Sequence, residues 1–291
     1  MNQLYGAGVA LITPFTADGE VDFDALGRLI EHQISGGMHY LVSLGTTGES
    51  ATLSSKEKEA IWKYTAAKVA GRIPLVAGIG GNNTTEVVHE LQNYDLSGYI
   101  AVLSVSPYYN KPTQQGIYQH YAQVAKASPL PVILYNVPGR TGSNISADTT
   151  IRLANDFENV VAIKDACGNF DQFSKIMRDK PQDFLLISGD DPVTLPMMAL
   201  GAAGIISVVG NAFPDLVSRL ANLCTGNDYL QARAVHQQLL RITELCFVEG
   251  NPAGVKEILR QKGICEDHIR LPLVPVSAQT RQLITDELSQ F

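Results

Sequence analysis

The strongest constraint on this chain is a rhythm. Short apolar runs alternate with amphipathic segments from the N-terminus to about residue 226. Runs such as Leu75-Val-Ala-Gly78 and Pro131-Val-Ile-Leu-Tyr-Asn136 leave almost no solvated face, which suits strands covered on both sides of a parallel sheet. The intervening segments place apolar residues at helical spacing, as in Phe23, Leu26, Ile30 and Ile34, with Gly36-Gly37 as the stop. Ser54-x-x-Glu57 reads as a capping box opening a further helix to about Ala70. Strands are expected at 8–13, 40–43, 75–78, 99–104, 131–136, 159–165, 184–188 and 204–208.

Eight strand–helix units in order, with no linker, predict an α/β fold: a closed (β/α)8 TIM barrel over residues 1–226. An open doubly wound sheet also explains the alternation, but eight units fit closure better. Beyond residue 226 the pattern turns to helix only, at about 229–248 and 252–262. A proline-punctuated tail, Leu271-Pro-Leu-Val-Pro275, follows. Residues 227–291 are expected to form a helical extension packed on the barrel, because its apolar positions need the barrel to cover them.

Composition excludes several classes of partner. With 22 basic and 29 acidic residues the net charge is −7, which disfavours a nucleic-acid or anionic-membrane surface. Cys167, Cys224, Cys246 and Cys265 are single and far apart, as for reduced thiols. The N-terminus lacks the basic-then-apolar pattern of a signal peptide, and the most apolar window, 196–210, is too short for a bilayer. A cytoplasmic location is expected. The six histidines show no metal-ligand spacing, and Gly78-Ile-Gly-Gly81 does not match a dinucleotide loop, so neither metal nor cofactor is expected.

One strand carries an anomaly. Asn159-Val-Val-Ala-Ile-Lys-Asp165 is apolar until it closes on Lys164, whose charge is costly to bury alone. Pairing with Asp165 or snorkelling from the strand end is the ordinary fate of such a lysine. The alternative is a desolvated amine, neutral enough to attack a carbonyl and form a Schiff base. In a barrel of this kind the chemistry gathers at the C-terminal ends of the strands. There the chain places Gly45-Thr-Thr-Gly-Glu49, Pro107-Tyr-Tyr-Asn110, Tyr135-Asn136, Val137-Pro-Gly-Arg-Thr141 and Gly189-Asp-Asp191. Singly, each is an ordinary packing tyrosine, turn hydroxyl or surface arginine. Together, with strands five and six adjacent and Tyr135 beside Lys164, they suggest a carbonyl-handling site.

The set Gly45-Thr-Thr-Gly-Glu49, Tyr135-Asn-Val-Pro138 and Ile163-Lys-Asp165 resembles the pyruvate-dependent class I aldolase superfamily that includes N-acetylneuraminate lyase. Pro107-Tyr-Tyr-Asn110, Arg140-Thr-Gly142 and Gly189-Asp-Asp191 narrow the resemblance to the dihydrodipicolinate synthase family, and it extends to Asn251-Pro252 and Val255-Lys256. It implies a lyase-class enzyme that condenses pyruvate with L-aspartate 4-semialdehyde to 4-hydroxy-tetrahydrodipicolinate, the committed step towards diaminopimelate and lysine. The resemblance gives Lys164 the Schiff base and Tyr135 the proton shuttle, relayed through Thr46 and through Tyr109 of a neighbouring subunit. Thr47 would hold the pyruvate carboxylate and Arg140 the carboxylate of the semialdehyde, with Gly189 and Ile206 lining the pocket. A homotetramer, built as a dimer of dimers, is implied by resemblance alone.

One departure bears on regulation. Feedback-inhibited members bind lysine with residues matching Asn82, Glu86 and Tyr108, and usually carry histidine or another aromatic side chain where this chain has Ser55 and Lys58. Lys58 would repel the lysine side chain or occupy Glu86, so weak or absent inhibition is expected. Two other functions stand beside the synthase: a lyase for a 2-keto sugar acid using the same lysine, and a non-enzymatic keto-acid-binding barrel. Arg140 favours a carboxylated aldehyde over a polyhydroxylated one. Retention of Lys164, Tyr135, Thr46 and Tyr109 together speaks against a retired barrel.

Overall fold

The computed structural model of the chain describes residues 2–291. Eight strands, β1 (Gly6–Ala10), β2 (Tyr40–Ser43), β3 (Leu75–Gly78), β4 (Ala101–Val105), β5 (Val132–Asn136), β6 (Val160–Asp165), β7 (Leu185–Ser188) and β8 (Gly204–Ser207), pair in chain order, all parallel. β8 returns to β1 and closes the barrel, as the rhythm predicts. Closure depends on Gly204: its φ is +156°, and a Cβ there would fall 1.9 Å from the Gly6 carbonyl oxygen.

The helices between strands are α1 (Phe23–Ser35), α2 (Ser55–Val69), α3 (Thr84–Asn93), α4 (Gln114–Ala127), α5 (Pro138–Thr141), α6 (Ala147–Asp156), α7 (Phe170–Asp179) and α8 (Thr194–Ala199). α9 (Pro214–Thr225) follows β8. The capping box of α2 forms: Glu57 N donates to Ser54 Oγ, and Ser54 N donates to the Glu57 carboxylate. Because strand side chains alternate between faces, two cores arise. Tyr40, Val42, Ile133, Ile187 and Ile206 belong to one, filling the barrel. Leu29, Trp62, Leu153, Phe173 and Val217 belong to the other, between strands and helices.

Strand boundaries shift where an apolar run outlasts its ladder. β1 runs over Gly6–Ala10 instead of 8–13. Beyond it Leu11 N still donates to Val42 O, but Ile12 N turns to the Asn211 side chain at 3.1 Å. Burial continues while sheet pairing stops, and hydropathy reports only burial. After the barrel come α10 (Tyr229–Leu245), α11 (Ala253–Gln261) and α12 (Ala278–Leu288). α10 packs along α9, and α12 packs on α10 and α11. α12 falls where only a tail is expected. Ser277 caps it by accepting from Thr280 N, yet it buries only Thr280 and Ile284, too narrow a face to mark a period. No described helix is long and apolar enough to cross a membrane.

Candidate active site

β6 puts Ala162 in the barrel core, and two residues on, Lys164 shares that face. Lys164 is 4% exposed. Its register partner on β5 is Tyr135, and its Nζ lies 4.3 Å from the centre of the Tyr135 ring. Among the described residues Lys164 forms no ion pair. A buried amine whose near neighbour is an aromatic face has weak compensation for its charge.

Asp165 does not serve as the partner, because alternation turns it to the other side of the strand. There Asp165 Oδ1 accepts from Asn136 Nδ2 at 3.0 Å and Cys167 N at 2.9 Å, and Oδ2 accepts from Gln172 Nε2 at 2.8 Å. Burial pushes its carboxyl up from the usual range, and these hydrogen bonds oppose the push. Asn136 Nδ2 also donates to Asn144 Oδ1 at 2.7 Å, while its Oδ1 accepts from Ile145 N at 2.9 Å. This polar knot, which the sequence did not disclose, ties β5, β6 and α7 to the loop that follows Arg140.

The seventh strand brings two more carboxyls. Asp191 accepts from Val208 N at 2.9 Å and from the Ser207 hydroxyl. Burial raises both the Asp191 and Asp190 carboxyls; the hydrogen bonds from Ser207 and Val208 oppose the push at Asp191, while the neighbouring Asp191 adds to it at Asp190. Gly189 lies against the lysine stem: a Cβ there would meet Lys164 Cγ at 3.1 Å and Ala166 Cβ at 3.0 Å. Ile206 is buried in the barrel core beside β1, its backbone in register with Gly8.

Thr46 and Thr47 occupy a turn of 3-10 helix directly after β2. Thr46 lines two cavities. The larger, of about 530 Å³, is walled in part by Arg140, Tyr108, Glu86, Lys58 and Asn251. The smaller, of about 50 Å³, is walled by Thr46, Tyr135 and Gly45. Lys164 lines neither cavity; it packs against the ring of Tyr135, which lines the smaller one. Thr47 is buried and accepts from Asn251 Nδ2 at 2.9 Å. Tyr109 stands apart: it is 89% exposed, has φ +74°, and lines neither cavity. The structure therefore places Lys164, Tyr135 and Gly189 together at the C-terminal ends of β5, β6 and β7, with Thr46 and Arg140 along the adjoining cavity, while Ile206 lies in the barrel core and Thr47 lines neither cavity. Tyr109 is not brought in. In the sequence Asn251 figures only in the Asn251-Pro252 resemblance, with no site role; its contact with Thr47, across 204 residues, is what the fold adds.

Lys58 also differs from expectation. Its Nζ lies 3.3 Å from Glu90 Oε1, so Glu90 and not Glu86 is its partner. α2 and α3 face each other across the cavity wall, and Glu90 is one helical turn beyond Glu86.

The model of the Dihydrodipicolinate synthetase family matches residues 3–291. A 4-hydroxy-tetrahydrodipicolinate synthase of Parabacteroides distasonis is 51% identical over 289 residues, covering 99% of this chain and 97% of the relative. Among solved structures, dihydrodipicolinate synthase from Aquifex aeolicus superposes with a TM-score of 0.96 at 42% identity, covering 99% of this chain and 98% of that one. The chloride-inhibited dihydrodipicolinate synthase of Acinetobacter baumannii, complexed with pyruvate, gives 0.95 at 40% identity, covering 98% of each chain.

Proposed function

The chain belongs to the dihydrodipicolinate synthetase family and is an enzyme of it, and on that footing we propose that it condenses pyruvate with L-aspartate 4-semialdehyde through a Schiff base on Lys164. The observation that carries the reading is the buried Lys164 amine, free of any carboxylate, beside Tyr135 at the C-terminal end of the barrel strands. The amine attacks the keto carbon of pyruvate, and the carbinolamine loses water to give an iminium. That cation draws electrons from the neighbouring methyl, which releases a proton and becomes an enamine nucleophile. The enamine carbon bonds to the aldehyde carbon of the second substrate. Attack by that substrate's amine on the iminium carbon then closes the ring and releases Lys164.

Each step moves a proton, which is work for placed hydroxyls. Tyr135 shuttles them, with Thr46 and Tyr109 as relay. An exposed Tyr109 that lines no cavity of its own chain fits a residue delivered to a neighbouring subunit, within a homotetramer made of two dimers. Thr47 holds the pyruvate carboxylate. Arg140, on the wall of the larger cavity, offers a planar fork to the carboxylate of the semialdehyde. Gly189 leaves room for the lysine stem, and Ile206 shapes the floor. The covalent lysine takes the place of a cofactor. Residues 1–226 act as the catalytic barrel, residues 227–291 as its extension, and the enzyme works in the cytoplasm.

The test is chemical. Pyruvate with borohydride adds mass irreversibly at Lys164, and coupled turnover appears with aspartate semialdehyde but not with N-acetylneuraminate. Turnover of the sugar acid in its place selects the lyase, which the relatives' names do not favour. Absence of trapping removes the Schiff base altogether. The same assay reads regulation. With Lys58 and Glu90 paired on the cavity wall, L-lysine at sub-millimolar concentration leaves more than half the activity, and stronger inhibition overturns that expectation.

A further inference from the structure

The loop that would hold the keto acid's carboxylate is fastened at three consecutive residues, two of them by the far end of the chain. Thr47 Oγ1 accepts from Asn251 Nδ2 at 2.9 Å. Gly48 O accepts from Thr13 Oγ1 at 2.6 Å. Glu49 Oε1 meets Lys256 Nζ at 2.5 Å, with both side chains at most 1% exposed, and Glu49 Oε2 accepts from Arg270 N at 3.1 Å. Asn251 and Lys256 flank the start of α11, whose docking leaves no slack: a Cβ on Gly254 would fall 2.3 Å from Leu245 O at the end of α10.

A hydroxyl has one proton to donate and two lone pairs to accept with. An N–H pressed against one lone pair of Thr47 fixes where its proton cannot point. Thr47 donates to no protein group among the described residues, so its proton is uncommitted. Asn251 lines the same cavity as Thr46 and Arg140, and its buried Oδ1 has no hydrogen-bond partner. Resting on the assignment of Thr47 to the pyruvate carboxylate, we propose that Asn251 is a positioning residue. It orients the Thr47 hydroxyl as a donor to the keto acid, and so makes the C-terminal extension a part of substrate recognition.

The proposal sets an unusual order of effects. Asn251→Ala frees the hydroxyl to rotate and raises the KM for pyruvate about tenfold, the size of one charge-assisted hydrogen bond, while kcat changes less than about threefold. Asn251→Asp is worse, on the order of a hundredfold, because an acceptor-only carboxylate draws the Thr47 proton to itself and leaves lone pairs facing an anion. The KM for aspartate semialdehyde stays within about twofold in both. In a Thr47→Val background, Asn251→Ala adds less than about twofold to the pyruvate KM, since the hydroxyl it orients is gone. A residue with a merely structural role would cost the same in either background.

The experiment measures both KM values and the pyruvate concentration for half-maximal borohydride trapping, in the wild type, the three single variants and the double variant. If the wild type fails to trap, the Schiff-base reading fails and takes this inference with it. If the wild type traps but Asn251→Ala matches it in pyruvate dependence, the inference alone is wrong. Equal penalties for Asn251→Ala with and without Thr47→Val overturn it too. Should Asn251→Ala not fold, Asn251→Asp and Thr47→Val decide: they must share a pyruvate-specific KM defect.

Discussion

Two lysines are buried in this molecule, and they are buried differently. Lys256, on α11, is locked against Glu49 and donates to His268 O at 2.8 Å, with the Phe15 ring 4.3 Å away. Burial pulls its amine below the usual lysine range, and the Glu49 carboxylate pulls it back up. Lys164, in the barrel mouth, has an aromatic neighbour and no carboxylate in contact. The first lysine is held by its counter-ion. The second has no such anchor, which leaves its amine available to a carbonyl carbon. Of the two, only Lys164 is left without a counter-ion, the condition a Schiff-base amine requires.

The comparison is broken most sharply at Lys164. Lys164→Met abolishes borohydride trapping and lowers turnover by at least about 10⁴-fold, while the melting temperature stays level or rises because an unpaired buried amine has gone. A large fall in melting temperature with residual turnover would assign Lys164 the structural role instead. Lys256→Met gives the opposite pattern. It strands Glu49 in the interior and costs about 3–5 kcal/mol of stability, seen as a shift in denaturant midpoint, while the folded fraction still traps pyruvate at Lys164. Replacing both partners, Glu49→Leu with Lys256→Met, recovers most of that loss.

His120 sharpens the comparison on a smaller scale, as a base that burial keeps neutral. Its Nδ1 lies 2.9 Å from the Thr84 hydroxyl and its Nε2 has no partner, and burial pushes the ring down to about 4. Between that value and the ordinary histidine value near 6.5 the unfolded chain binds the proton and the folded protein does not. Stability linked to His120 is thus complete above about pH 6.5 and is lost as pH falls towards 4, at most about 3 kcal/mol. Urea midpoints at pH 7 and pH 4.5 should converge in His120→Gln relative to the wild type. An unchanged difference would remove His120 from the acid response.

Much of the candidate site is legible because its residues sit where local pattern and barrel geometry coincide. The apolar run into Lys164, the tyrosine ending the preceding strand and the small residues after β2 all lie at strand C-termini. Once eight units are counted, adjacency of strands five and six places Tyr135 by Lys164 without further information. The misses have one cause. Asn251 on Thr47, Lys256 on Glu49 and Glu90 on Lys58 are contacts between elements that no periodicity links. α12 leaves no period in the sequence because two buried residues do not make a face.

What the sequence determined by itself is the order of the elements, their closure into a barrel, and the end of the barrel at which reactive groups collect. Those follow from burial and backbone preference, which act over a few residues. Only the tertiary structure decided which buried charges have partners. A counter-ion is chosen by distance across space, and that is set after the strands have closed and the C-terminal helices have docked back over the loop behind β2.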